Sequence, residues 1–305
     1  MLSRPALALL GLVVCLVLCS TAAAQGFPTE SVPPPAPQAG QQSAEQDNGS
    51  KAPVESDQTL VSLQTTLPLK RYHSFFQITH RFARDLGRGS FGQLASELFS
   101  LDDSAIISLQ YRFALTSRVQ AGVHRSALGK TIVAFGRWDW WRQAEGRLLS
   151  VSVMPSLEGQ NNLRLDPQPG VAAILSRSFG PQVVLYAQPS YVHNAHTATL
   201  RNAHGGHDLP GLDPEEHSSS TDTGFIGLGG RVRIRPSVTL VGETAPRIGG
   251  YQPGPPDWNA GIEKLTHGHV LQLNFGNNFN STQGMIARGG IADQIFMGFN
   301  VSRKF

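Results

Sequence analysis

Histidine is the residue type in this chain best suited to chemistry. Five of the ten histidines fall in one stretch: His193, His196, His204, His207 and His217, with Asp208, Asp213, Glu215 and Glu216 among them. The tetrapeptides HNAH (193–196) and HGGH (204–207) each offer two imidazoles three residues apart. In a pliable loop that spacing can close on Zn2+ or Cu2+. His193, His196, His204 and His207 are therefore candidate ligands of a weak divalent metal held by the 193–217 loop. No helical pattern positions them, and the competing reading is a solvated polar loop.

A second polar set recurs at every other position: Gln110, Arg112, Gln120, His124, Arg137, Asp139, Arg231, Arg233, Glu243, Glu263, Gln272, Asn274 and Asn300. Both charge signs occur. Lining a tube, these side chains make either a selective pore or a network of ion pairs that fills a narrow barrel, and the filled barrel is the favoured reading. Hydrolytic chemistry leaves no comparable trace. GxSxG is absent, and no spacing of Ser, His and acid points to a triad, so no catalytic residue is assigned. The stretch GFIGLGGRVR (224–233) has the glycines of a phosphate loop but lacks the Lys-Ser/Thr that such a loop needs. Its alternating glycines suit barrel curvature and close packing better. No cofactor is expected.

These side chains need strands to position them. Stretches of alternating or β-rich character predict twelve: 71–82, 105–114, 118–126, 130–142, 147–156, 170–178, 182–193, 223–234, 238–246, 257–265, 269–279 and 293–305. Such lengths match the roughly 9–11 residues a membrane-crossing strand requires. Alternate connections (115–117, 143–146, 179–181, 235–237, 266–268) are short and rich in turn formers. The others (83–104, 127–129, 157–169, 194–222, 247–256, 280–292) are long, 127–129 excepted. Short turns at one end, long loops at the other and an even strand count describe an up-and-down antiparallel barrel of the outer-membrane type, with periplasmic turns and extracellular loops. Apolar residues take the opposite face of each strand, as in Ile107, Leu109, Tyr111 and Phe113 against Ser108, Gln110 and Arg112. Twelve strands lie between filled eight-stranded barrels and water-filled sixteen-stranded ones. Periodicity does not say which face is inside, so a soluble periplasmic sheet protein stays open as an alternative. Aromatics near strand ends (Tyr72, Trp138, Trp140, Trp141, Tyr191, Trp258, Phe279 and Phe305) suit the membrane–water boundary.

The ends of the chain agree with an exported barrel. Residues 1–24 read as a signal peptide, with Arg4, the apolar run 6–18 and TAAAQ (21–25), which places cleavage after Ala24. Both cysteines, Cys15 and Cys19, lie in this leader. Removing Arg4 lowers the net charge from +3 to +2, too mild and too evenly spread for nucleic acid. Residues 25–58 are a low-complexity stretch of Pro, Gln, Ser and Ala, expected to be a disordered tether. The barrel is expected over 59–305, and 59–70 reads as a short extra strand or a lead-in. At the C-terminus Ile295, Met297, Phe299 and Val301 alternate toward a final Phe305.

The stretches FFQITHRFARDLG (75–87), ISLQYRFALTSRVQAGVHRS (107–126), NAGIEKLTHGHVLQLNFGNNFNSTQGMIARGG (259–290) and FMGFNVSRKF (296–305) resemble a bacterial family of membrane-bound β-barrel domains without an assigned function. The resemblance implies a barrel and no activity. The last strand also resembles the C-terminal insertion signal of outer-membrane barrels, carried here by Ile295, Met297, Phe299, Val301 and Phe305. Arg303 stands where that signal usually has an aromatic. Together these readings predict a non-enzymatic barrel in the bacterial outer membrane, for small-solute passage or loop-mediated docking. Outer-membrane lipid and the export and barrel-insertion machinery are its expected partners. An outer-membrane lipid hydrolase is the alternative.

Overall fold

The computed structural model describes residues 55–102, 104–195, 222–250 and 254–305. Thirteen strands follow one another: β1 Ser74–Phe82, β2 Ala105–Ala114, β3 Val119–Ser126, β4 Ile132–Trp141, β5 Ser150–Gly159, β6 Leu165–Phe179, β7 Val183–Val192, β8 Thr223–Arg235, β9 Val238–Ala245, β10 Arg247–Gly250, β11 Asp257–Thr266, β12 His269–Gly276 and β13 Phe296–Lys304. Each pairs antiparallel with the next, except that short β10 folds back onto β8 while β9 pairs with β11. β13 returns to β1, so twelve strands close into a barrel. The final residue is inside the seam. Phe305 N–H donates to the Ser74 carbonyl at 2.9 Å, and Ser74 N–H donates to the Phe305 carbonyl at 3.2 Å. A closed ring leaves no unpaired edge, which a barrel in hydrocarbon requires.

Side-chain direction follows from the period of two. Ile107, Leu109, Tyr111, Val123, Leu185, Leu228, Val232, Ile262, Leu271, Leu273 and Phe275 all point outward and are exposed. Ser108, Gln110, Arg112, Gln120, His124, Arg231, Gln272 and Asn274 alternate with them and are buried. The barrel is therefore apolar outside and polar inside, the reverse of a water-soluble one.

Five connections, none longer than eight residues, gather at one end with Phe305; at the other end the connections run from five residues (127–131 and 160–164) to thirty (193–222). Trp138, Trp140 and Trp141 stack in series at the short-turn end, with centroids 5.8 and 5.1 Å apart. Tyr72 and Phe305 are exposed at the same end, and Tyr191 and Trp258 near the long-loop end. Arg303, the departure from the terminal pattern, lays its guanidinium 5.0 Å from the Phe305 ring. Ile295 is exposed, while Met297, Phe299 and Val301 are half-buried on the same outer face.

Three details differ from the sequence reading. The 157–169 connection shrinks to 160–164, because β6 begins at Leu165 and pairs through Pro169 and Gln168 with β5. Pro167 and Pro169 suggest a loop, yet a Pro is tolerated wherever its missing N–H faces away from the ladder. Phe279 is not at the membrane boundary. It is 3% exposed and packs its ring 4.2 Å from that of Phe296. With Ile106, Leu128, Met285 and Ile291 it forms a small apolar core at the long-loop end. The 280–292 connection accordingly folds inward, carrying a short helix, α2, Gln283–Arg288.

The third difference concerns residues 55–69. Leu60, Val61, Leu63, Thr65, Asp57 and Gln58 are all buried within the barrel. The tether boundary drawn at residue 58 thus falls inside a structured segment.

Candidate functional site

Residues 55–69 form a hairpin that stands in the lumen. Leu60 N–H donates to the Leu63 carbonyl at 2.8 Å, Thr65 N–H to the Gln58 carbonyl at 3.0 Å, and Thr59 bridges Gln64. Two arms and a tight tip result. At the foot, Lys304 Nζ donates to the Ser56 carbonyl at 2.9 Å, and Leu69 packs with Phe75 and Ala114. Both arms therefore end at the short-turn end, and the tip, Val61–Ser62, points toward the long loops.

A strand in a lumen has no ladder beyond its own hairpin, so the barrel wall has to satisfy its backbone. Glu243 does this at the tip. Its carboxylate accepts three successive N–H groups, from Val61 at 3.0 Å, Ser62 at 2.8 Å and Leu63 at 3.0 Å, and the Asn259 amide at 2.9 Å. Such charge-assisted bonds are stronger than neutral ones. The Leu60 carbonyl receives Gln272 at 2.8 Å and the Val61 carbonyl receives Asn300 at 3.0 Å. Ser62 Oγ donates to the Asn280 carbonyl at 2.8 Å, which joins the tip to the inward-folded 280–292 segment.

Two arginines hold the arms. Arg137 donates to the carbonyls of Thr65 at 2.9 Å and Leu67 at 2.6 Å and to Gln58 Oε1 at 3.1 Å, while Asp139 faces its Nε at 2.9 Å. Arg231 grips Glu263 with two bonds, at 3.0 and 2.8 Å, and donates to the Thr59 carbonyl. Arg112 donates to Gln64 Oε1 and lies over the Phe135 ring at 5.0 Å. Gln188, Gln77, Ser176 and Ser302 bind Gln64, Thr59, Thr66 and Asp57 respectively. Partners thus come from β1, β2, β4, β6, β7, β8, β9, β11, β12 and β13. Truncating Glu263 to glutamine leaves Arg231 as a buried charge without its counter-ion, a loss of about 3–5 kcal/mol. The expected outcome is a lower unfolding temperature of the detergent-solubilised barrel, read from its heat-dependent gel mobility.

Glycine makes room for the hairpin. A Cβ on Gly229 would lie 2.4 Å from Leu60 Cδ1, and one on Gly227 2.7 Å from Leu63 Cδ2. Gly227 and Gly229 are thus the inner wall against which the two leucines pack.

The inward-folded segment is held to the wall at the long-loop end. Asp257 accepts from Asn278 at 2.6 Å, Asn280 at 2.7 Å and Asn259 at 3.1 Å. Glu158 accepts from Thr282 Oγ1 and from Gly284 N–H, each at 2.9 Å.

Of the lining residues named from the sequence, Arg112, Arg137, Arg231, Glu243, Glu263, Gln272 and Asn300 touch the hairpin or, for Glu263, its foot at Ser56. Asp139 orients Arg137 and also receives Ser152 at 2.9 Å. Asn274 donates to Gln272 at 3.0 Å. Gln110, with its amide facing them, joins Arg112 to Gln77. Gln120 and His124 are buried on the same wall. Arg233 is half-buried near the short-turn end. Sequence reasoning missed Gln58, Thr59, Gln77, Ser176, Gln188, Ser302, Glu158 and Asp257. The paired inner glycines 227 and 229, which imply something packed against them, were the available signal.

Of the metal candidates, His196, His204 and His207 lie outside the described residues. His193 Nδ1 stands 2.7 Å from Asp222 Oδ1. The Tyr191 hydroxyl, then the Asn194 N–H, hold the Asp222 carboxyl below its ordinary range. Among the described residues no serine hydroxyl bonds His193, and no three His, Cys, Asp or Glu side chains are grouped to hold a metal.

A family model described as membrane bound beta barrel domain (DUF5777) matches residues 56–305, a span that takes in the hairpin. No curated protein sequence matches. Among solved structures, the chain is similar to the outer membrane protein Omp33 of Acinetobacter baumannii, at 11% identity and a TM-score of 0.38, over 77% of this chain and 98% of that one. It is similar to outer membrane phospholipase A of Escherichia coli at 9% identity and 0.37, over 82% and 95%. A mutant Rhodopseudomonas blastica porin aligns at 10% identity and 0.33, over 69% and 58%.

Proposed function

We propose, for a chain that belongs to the family of membrane bound beta barrel domains, a non-enzymatic role in the bacterial outer membrane: a passage for small polar solutes that its own hairpin keeps closed at rest. The hairpin seated in the lumen is the observation that carries this reading. The surrounding wall is polar and of both signs, which suits a small solute without strong net charge. Because both arms end at the short-turn end, the hairpin can withdraw that way without threading or opening a strand pair. Short turns mark the periplasmic side in such barrels. Withdrawal is thus toward the periplasm.

Fractionation of expressing cells is expected to place the protein in the outer membrane, with gel mobility that shifts on boiling. Recovery from the soluble periplasm would remove the localisation. In planar bilayers the purified protein is expected to stay closed for long periods, broken by rare stepwise openings. A steady ohmic current would show that the hairpin does not close the barrel. A lipid hydrolase is the second reading, supported by the His193–Asp222 pair on the outer face. Fatty-acid release from phospholipid vesicles is expected to be absent, and its appearance would favour that reading.

A further inference from the structure

The connection between β1 and β2 carries apolar side chains that the barrel does not bury. Phe91 is 74% exposed, Leu98 55%, Leu101 53% and Phe99 44%. The short helix α1, Phe91–Ser96, has no buried residue at all. A cluster of this kind is unusual on a surface meant for water.

The segment is nonetheless built. Ser90 caps α1, and Gln93 returns the bond in a capping box. Arg84 donates to the carbonyls of Asp85 at 2.9 Å and Arg88 at 3.0 Å and pairs with Glu97. Asp85 accepts Gly87 N–H at 2.9 Å and Ile295 N–H at 3.0 Å, and Leu86 N–H donates to the Ile295 carbonyl at 2.8 Å. The base of the segment is thereby fastened to the start of β13. Leu98, Phe99 and Ser100 all have positive φ, at 46°, 54° and 85°, a conformation unfavourable for residues with side chains. It turns Leu98 and Phe99 outward, where Phe99 meets the Phe91 ring edge-on at 5.8 Å.

What covers this patch follows from where it begins. Ile295, the residue that fastens it, is exposed on the outer face of the barrel. That face continues through Phe299, whose ring stacks on His80 at 4.5 Å, and Ile107. The base of the patch is thus fastened to the surface that acyl chains cover. Arg88, three residues before Phe91, has a side chain 68% exposed, a cation that suits lipid phosphates. We propose that residues 91–101 rest on the outer leaflet, with Phe91, Leu98, Phe99 and Leu101 inserted at the boundary between headgroups and acyl chains. In-plane apolar anchors of this kind bury one face only a few ångströms deep. The inference rests on the membrane-bound barrel and is independent of the hairpin as a gate.

Both native cysteines, Cys15 and Cys19, lie in the leader, so one introduced cysteine in the mature chain can carry a polarity-sensitive fluorophore. Phe91→Cys and Phe99→Cys are compared with Ser96→Cys in phosphatidylcholine vesicles, alone and with lipid bearing a nitroxide near the headgroup. Heat-dependent gel mobility selects the folded barrels. If Phe91→Cys does not fold, Leu101→Cys replaces it. The labels at 91 and 99 are expected to emit blue-shifted light and to lose most of it to the nitroxide lipid, while the label at 96 stays closer to its emission in water. Water-like, unquenched emission at all three positions would overturn the proposal. So would shielding that appears only as protein density in the vesicle rises, which would assign the patch to a second copy of the chain.

Discussion

Alanine at Glu243 is expected to turn a barrel that is closed most of the time into one that opens often. The carboxylate accepts three successive N–H groups at the hairpin tip, and it also binds Asn259. A buried donor left without a partner costs about 1–3 kcal/mol. The three hairpin donors, relaxing partly and together, put the loss on the order of 4 kcal/mol. That changes the ratio of seated to displaced hairpin by roughly a thousandfold, at about 1.4 kcal/mol per factor of ten. The barrel strands keep their ladders, so gel mobility should still shift on boiling. Single-channel recording is the measurement. Glu243→Gln keeps one acceptor oxygen and is expected to fall between the two. Folded Glu243→Ala that shows no openings would mean that the hairpin is a fixed filling, and the barrel a membrane support rather than a passage.

Valine at Gly229 should destabilise the barrel, and a change in the hairpin should relieve it. Its Cβ alone would come within 2.4 Å of Leu60 Cδ1. Overpacking of a filled interior typically costs about 1–3 kcal/mol, occasionally more. Leu60→Ala leaves a cavity instead and costs about 2–5 kcal/mol by itself. In the double variant the added side chain enters the space the leucine left. The two changes are therefore expected to be less than additive, with a coupling of about 1–3 kcal/mol. Unfolding temperatures of the two single variants, the double and the parent complete the cycle. Additive losses would mean that Leu60 and Gly229 are not in contact in the working protein.

Much of the barrel was written in plain view. A period of two fixes which residues share a face, and sorted loop lengths give strand direction. Arg112, Arg137, Arg231, Glu243 and Glu263 could be read as belonging to the polar faces of their strands on that basis alone. What they bind could not. A peptide inside a polar lumen needs neither amphipathic alternation nor a strand's length, since the wall supplies its hydrogen bonds. Residues 55–58 carry no pattern that sets them apart from the Pro- and Gln-rich stretch before them. Phe279 was misplaced for a related reason. An aromatic near a strand end is apolar whether it meets lipid or a buried cluster with Met285 and Ile291, and sequence spacing does not separate the two. The β5–β6 connection was overestimated, since Pro169 looks like a loop residue until its pairing with Leu157 is seen.

The hairpin's bonds also bear on how the cylinder comes to exist. The seam joins β1 to β13, segments separated by more than two hundred residues, and closing so long a circuit from an open chain is entropically costly and slow. Residues 55–69 immediately precede β1 and bind Gln77 there, yet they also bind Gln272 on β12 and Asn300 and Ser302 on β13. A segment made early that holds the last-made strands beside the first is an internal template for assembly. The piece that fills the finished barrel is thus placed to bring its two margins together.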